Sequence, residues 1–158
     1  MAGFTLSSNE FSGQVPQQNV YDDFGAGGGN KSPQLSWTNA PEGTKSFLIT
    51  CYDADAPGPG WWHWCAFNIP ANSSALSTGD STNAMPDGTV EVKNSYGSHG
   101  YGGACPPPGD QPHAYHIVLH ALSTETLDLD KDASPAMVMF MAAEHVIGKA
   151  GVTAYYAR

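Results

Sequence analysis

Residues 51–64 read CYDADAPGPGWWHW. Asp53 and Asp55 lie one residue apart, a Pro/Gly bend follows, and the segment ends on Trp61, Trp62, His63 and Trp64. Carboxylates close to an imidazole can orient a hydrogen-bond donor, bind a divalent metal or work as a general acid/base pair. The indoles would wall such a site. A second segment, GYGGACPPPGDQPHAY (100–115), has complementary chemistry. Pro106, Pro107 and Pro108 remove three amide donors and fix φ, while the glycines let the backbone approach a guest. Such a frame can aim backbone N–H groups at an anion. His113 and Tyr115 follow as donors for a ligand oxygen, and Cys105, with no Lys or Arg beside it in sequence, reads as structural. Each residue alone has an ordinary role: Asp55 as a turn acid, His63 as a semi-core histidine, the tryptophans as core. The argument for a site is their coincidence on two adjacent loops.

The elements that would hold these groups are strands. Residues 46–53, 62–70 and 114–122 are rich in β-branched and aromatic side chains. Period-two alternation places Phe47, Ile49, Cys51 and Asp53 on one face of the first. It places His63, Cys65, Phe67 and Ile69 together in the second, and Tyr115, Ile117, Leu119 and Ala121 in the third. The short connection 54–62 forces Asp53 and His63 to the same end. If the two strands pair as a hairpin, Asp53 faces His63 and Cys51 faces Cys65. Residues 89–94 read as a short strand, 71–88 as a surface excursion, and FGAGGGN (24–30) as a flexible loop. Ser134 is a natural N-cap and Pro135 suits the first helical turn, so a helix is expected over about 134–147, closed by Gly148, its methionines packed on a sheet. Residues 151–158 are expected as a last strand. The pattern predicts a mainly β antiparallel sandwich with a short C-terminal helix, as one domain over 1–158.

The composition excludes several classes. The chain has 158 residues, 41% of them hydrophobic and 13% charged, which suits a packed core. A net charge of −9 opposes nucleic acid and anionic membranes. No apolar run approaches a transmembrane length, and the first residues lack the pattern of a secretory signal. Three cysteines are an odd and sparse set, so free thiols and a cytoplasmic location are expected.

SPQLSW (32–37), YDADAP (52–57), WWHW (61–64), GYGGACPPPGDQPHAY (100–115) and LDLDKDASPAMV (127–138) occur in the order seen in the phosphatidylethanolamine-binding protein family. The chain most resembles its bacterial and archaeal, Raf-kinase-inhibitor-like branch. The resemblance implies Greek-key connections and a small pocket for phosphate-like anions. It implies ligand-site roles for Asp53, Asp55, Pro57, His63, His113 and Tyr115, with Cys105, Pro106 and Pro107 on the adjoining loop. It also implies a cis bond at Ala56–Pro57. Four positions depart from the family pattern. Ala54 and Gln34 replace prolines without touching the pocket, Ala104 replaces a proline of the second loop, and Ala114 replaces an arginine, removing the guanidinium expected near the site.

These readings predict an anion-binding module without a cofactor. An aspartate accepting from His63 would favour imidazolium, and amides of residues 102–110 with the Tyr115 hydroxyl would complete the cradle. The partners implied are a phosphate or phospholipid headgroup and, by family analogy, a protein kinase or protease to be inhibited, with homodimerisation a further expectation. The competing reading is a hydrolase or metal-dependent enzyme using Asp53, Asp55, His63 and His113. Against it, the chain has no G-x-S-x-G elbow and no nucleophile beside a base.

Overall fold

The computed structural model describes residues 3–158. Its strands are β1 (Thr5–Ser7), β2 (Gly13–Gln14), β3 (Leu35–Thr38), β4 (Ser46–Asp53), β5 (Trp61–Pro70), β6 (Ala75–Leu76), β7 (Val90–Glu91), β8 (His113–Leu122) and β9 (Val146–Tyr156). Helix α1 (Pro135–Ala142) runs into a 3-10 turn, Ala143–His145. One sheet has the order β1-β3-β6 and the other β2-β9-β8-β4-β5-β7. The pairs are antiparallel except β2 with β9. Within the larger sheet the order β8-β4-β5-β7 is a Greek key, because the chain returns to lay β8 beside β4. Among the described residues no helix is long and apolar enough to cross a membrane.

Burial on both faces explains the unbroken apolar run of β4. Phe47, Ile49 and Cys51 join Leu6, Trp37, Trp64, Ile117 and Leu119 between the sheets. Leu48 points the other way, with Cys65, Phe67 and Leu122, onto Val138 and Ala142 of α1. Those two helix residues are one turn apart, which is the spacing that puts them on one face. The Ser134 hydroxyl accepts from the Met137 amide at 3.1 Å, so the predicted cap forms.

The helix ends earlier than its sequence suggests. Val146, Ile147 and Gly148 belong to β9, where Gly148 pairs with Ala121 and Val146 with Leu122. Gly148 is not a cap: a Cβ there would come within 2.6 Å of Pro41 Cγ, so the residue is small to let β9 pass Pro41. Met139 packs on the sheet as expected, whereas Met137 and Met141 are exposed.

The parity of β4 and β8 holds, but that of β5 does not. Cys51 pairs with Trp64 and Tyr52 with Trp62, leaving His63 as the extra residue of a β-bulge. A second irregularity lies where Phe47 pairs with Ile69 and Ile49 with Ala66, next to Asn68 at φ 59°. Between these two slips the alternation of β5 is reversed. Cys65 and Phe67 therefore face the helix, while His63 and Ile69 face the opposite way. Cys51 does not face Cys65, whose register partner is Thr50, and all three cysteines are free.

Candidate functional site

The last residues of β4 and the first of β5 and β8 meet at one end of the large sheet, where they line a cavity of about 310 Å³. Asp53, Pro57, His63, Cys105, Pro106, Pro107, His113 and Tyr115 all contribute to it. Asp55 does not. Its carboxylate turns outward to accept from the Ala114 amide at 2.9 Å, which ties the 54–60 loop to the start of β8. The bond at Ala56–Pro57 is trans, since the described residues contain no cis peptide.

Asp53 is buried, yet its partner is not His63. Its Oδ2 accepts from His113 Nδ1 at 2.6 Å, and its Oδ1 accepts from the Asp55 amide at 2.8 Å. On the other edge of the same ring, His113 Nε2 donates to Asp110 Oδ2 at 3.0 Å. Burial works against a charge on His113, but the hydrogen bonds to Asp53 and Asp110 outweigh it and raise the pKa. An imidazole with both nitrogens donating to carboxylates is an imidazolium.

The expected imidazolium at His63 is therefore corrected. His63 is buried, and desolvation lowers its pKa to about 4 despite the Gly102 carbonyl and the Asp53 charge. Its Nδ1 donates to the Gly102 carbonyl at 2.7 Å, so the neutral ring keeps a lone pair on Nε2. Asp53 is opposite Trp61 in the ladder, and the bulge is what separates it from His63.

The backbone cradle is corrected as well. Gly102 N–H donates to the His63 carbonyl, Gly103 N–H to Asn30 Oδ1, Gly109 N–H to the Arg158 carbonyl and Asp110 N–H to the Pro107 carbonyl. With three prolines between them, only the amides of Ala104 and Cys105 are left to offer a guest. The glycines admit neighbours of the chain itself. A Cβ on Gly102 would meet the Tyr96 ring, and one on Gly103 would collide with the Asn19 carbonyl and the Tyr21 amide. Two side chains add free donors. Tyr115 Oη and Trp61 Nε1 are buried without a hydrogen-bond partner, and both residues line the cavity. Burial first, and then the nearby Asp53 carboxylate, which the hydroxyl approaches without hydrogen-bond geometry, raise the Tyr115 pKa, so its hydroxyl keeps its proton.

Three wall residues escaped the sequence reading: Phe24, Tyr96 and Arg158. Arg158 supplies the guanidinium that Ala114 had been expected to remove. Its Nε donates to the Pro106 carbonyl at 2.7 Å and its Nη1 to the Phe24 carbonyl at 3.1 Å. Its Nη2 lies 3.5 Å from Cys105 Sγ, so Cys105 has a cationic neighbour after all. Desolvation outweighs that neighbour and raises the thiol pKa, which supports an unreactive Cys105. The available signal was that Arg158 is the only arginine in the chain. Of the tryptophans, Trp61 lines the cavity, Trp62 packs on Tyr52, and Trp64 is buried with Nε1 donating to Glu91 Oε2 at 2.9 Å.

The site thus holds an internally compensated Asp53–His113 pair, two unpartnered donors, one lone pair and a further cation, within aromatic and proline walls. Among the described residues no three His, Cys, Asp or Glu side chains are arranged to hold a metal ion. His113 lies between the two carboxylates that it binds, so these cannot converge on one ion.

The sequence profile of the phosphatidylethanolamine-binding proteins matches residues 10–157. The chain is 44% identical to the UPF0098 protein YbcL of Escherichia coli, over 98% of this chain and 88% of that one. It is also 44% identical to YbhB of the same organism, over 90% and 92%. The crystal structure of YbcL, described as a new member of the mammalian PEBP family, superimposes with a TM-score of 0.96 at 42% identity, covering 99% of both chains. A Chlamydia trachomatis protein shares the fold, with a TM-score of 0.84 at 24% identity over 100% of this chain and 99% of that one. The arrangement of the cavity and these likenesses agree with the motifs of the two loops, and the chain belongs to the phosphatidylethanolamine-binding protein family.

Proposed function

We propose that the cavity binds a small anion, a phosphoryl group or a group of similar shape, and that the protein acts as a regulatory binding module. The observation that carries this reading is the pair of buried donors without partners, Tyr115 Oη and Trp61 Nε1, at a cavity that also holds an imidazolium. An unsatisfied buried donor costs about 1–3 kcal/mol, which an oxyanion would recover on binding. Asp53 does not repel the guest as a free charge, because His113 pairs with it across 2.6 Å, while Asp110, the second carboxylate on that ring, is exposed to solvent. Arg158 makes no ion pair among the described residues, so its charge also favours an anion.

The hydrolase reading loses its geometry. Asp55 faces away from the cavity, and both nitrogens of His113 are engaged by carboxylates. A kinase or protease, in the inhibitory form of the proposal, would dock over the mouth formed by Phe24, Pro57 and Pro107.

Titration with inorganic phosphate, followed by ¹⁵N NMR of the Trp61 indole and the His113 imidazole, tests the anion reading. We expect binding in roughly the millimolar range, about 4 kcal/mol. Tyr115→Phe and Trp61→Phe each remove one donor and should weaken it by about 1 kcal/mol, near fivefold. Phosphate that shifts neither ring, or binds both variants as well as the wild type, would refute the site.

A further inference from the structure

Phe24 occupies a conformation that its side chain does not favour. Residues 23–26 form a tight turn closed by a bond from the Ala26 amide to the Asp23 carbonyl at 3.0 Å. The two central residues have positive φ, 54° at Phe24 and 79° at Gly25. Turns of that kind favour Asn, Asp or Gly at both positions, because a larger side chain is crowded in the left-handed region. The ring is moreover 66% exposed, at the rim of the cavity. Within the chain it lies near-parallel at one end of an aromatic row, with its centroid 5.8 Å from Tyr21 and 6.3 Å from Tyr96 at interplanar angles of 23° and 25°. Tyr21 and Tyr96 stack closely at 3.8 Å and 5°, and so hold that row in place.

Packing inside the protein does not account for an apolar ring in a strained, wet turn. Its position over the cavity does. The Arg158 guanidinium fixes the Phe24 carbonyl and the Pro106 carbonyl together, joining the turn to the proline wall. The cation therefore sits beside an aromatic surface, with the two free donors deeper in the cavity.

We propose that Phe24, Tyr96 and Arg158 form a subsite for the body of an aryl anion, so that the ligand is an aromatic ring carrying a phosphate or carboxylate. This rests on the anion reading above. The oxyanion lies against Tyr115 and Trp61, and the ring covers the exposed face of Phe24 with Arg158 at its edge. An aliphatic headgroup would leave Phe24 in water.

Calorimetric titration with phenyl phosphate and methyl phosphate separates the two layers of the argument. The wild type should bind phenyl phosphate about tenfold more tightly than methyl phosphate. Phe24→Gly should bring that ratio close to one by weakening phenyl phosphate about tenfold relative to methyl phosphate. Glycine suits the positive φ, and a thermal melt confirms that the variant is folded. Arg158→Gln should weaken both ligands through the lost charge, and phenyl phosphate more, because the ring also loses the cation at its edge. If methyl phosphate binds but phenyl phosphate binds no more tightly, or the preference survives in Phe24→Gly, the aryl subsite is wrong and the anion site stands. An Arg158→Gln protein that keeps the wild-type ratio of phenyl to methyl phosphate removes the arginine from the subsite. If neither compound nor inorganic phosphate binds the wild type, the anion reading and the subsite fail together.

Discussion

His63 and His113 are the same residue type on the same cavity and carry opposite charge states. His63 is enclosed with a neutral carbonyl as its partner, so desolvation dominates and the ring stays neutral. His113 is enclosed with two carboxylates, and the charge is kept. The consequence is measurable. The folded pKa of His113 is raised, so the stabilisation from its ion pair is complete below the unfolded value near 6.5. It is lost only as the pH rises through the higher folded value. The ¹⁵N shifts of the His113 ring should remain those of an imidazolium above pH 6.5, and Asp53→Asn should move the transition down. A ring that is already neutral at pH 6.5 would contradict the pairing. The residue types were legible in the sequence. Their pairing was not, because it depends on a bulge and on which ring faces Asp110. Arg158 was invisible for another reason, since it reaches Cys105 and Pro106 from more than fifty residues away, without a local signal.

Composition located β4, β5 and β8 to within a residue, but alternation assigned faces correctly only in β4 and β8, because a period of two survives only while the ladder is regular. The two slips in β5 turn Cys65 and Phe67 to the helix and bring His63 to the cavity, so the departure from regularity is what builds the site. The cap of α1 was legible because it is a local bond; its end was not, because Val146–Gly148 are claimed by pairing with Ala121 and Leu122. The loop of residues 100–109 likewise follows long-range packing. Gly103 lies so close to Asn19 and Tyr21 that no Cβ fits, and a bridge between Val20 and Ala104 ties the same segments. Gly103→Ala should cost about 1–3 kcal/mol in urea unfolding and should also disturb phosphate binding, because Tyr96 Oη donates to the Gly103 carbonyl at 2.8 Å. An alanine variant as stable as the wild type would show that this contact yields.

For the molecule as a whole, two buried neutral histidines govern its response to acid. His120 is buried, and desolvation followed by repulsion from Lys149 lowers its pKa to about 4, as desolvation does for His63. Its Nε2 meets Thr50 Oγ1 at 3.2 Å, and its Nδ1 has no partner. Both rings would take up protons near pH 6.5 once unfolded, so the unfolded state binds more protons than the native one between about 6.5 and 4. Their stabilisation is present above pH 6.5 and is lost as the pH falls towards 4, on the order of 3 kcal/mol for each ring. Urea midpoints should therefore fall across that interval, and His120→Leu should remove about half of the slope. A slope unchanged by that substitution would count against His120 as a source.

The strand β9, inserted between β2 and β8, also sets the order in which a growing chain can be completed. Gly13 and Gln14 find their neighbours only at Ala154 and Tyr155. At translation speeds of roughly 5–20 residues per second, the amino-terminal segment waits on the order of ten seconds for its partner to be made. Between the making of β8 and that of β9, β8 presents a bare edge, and the binding cleft lacks the wall that Arg158 anchors. Completion of the cleft thus waits on β9 and on the arginine that follows it.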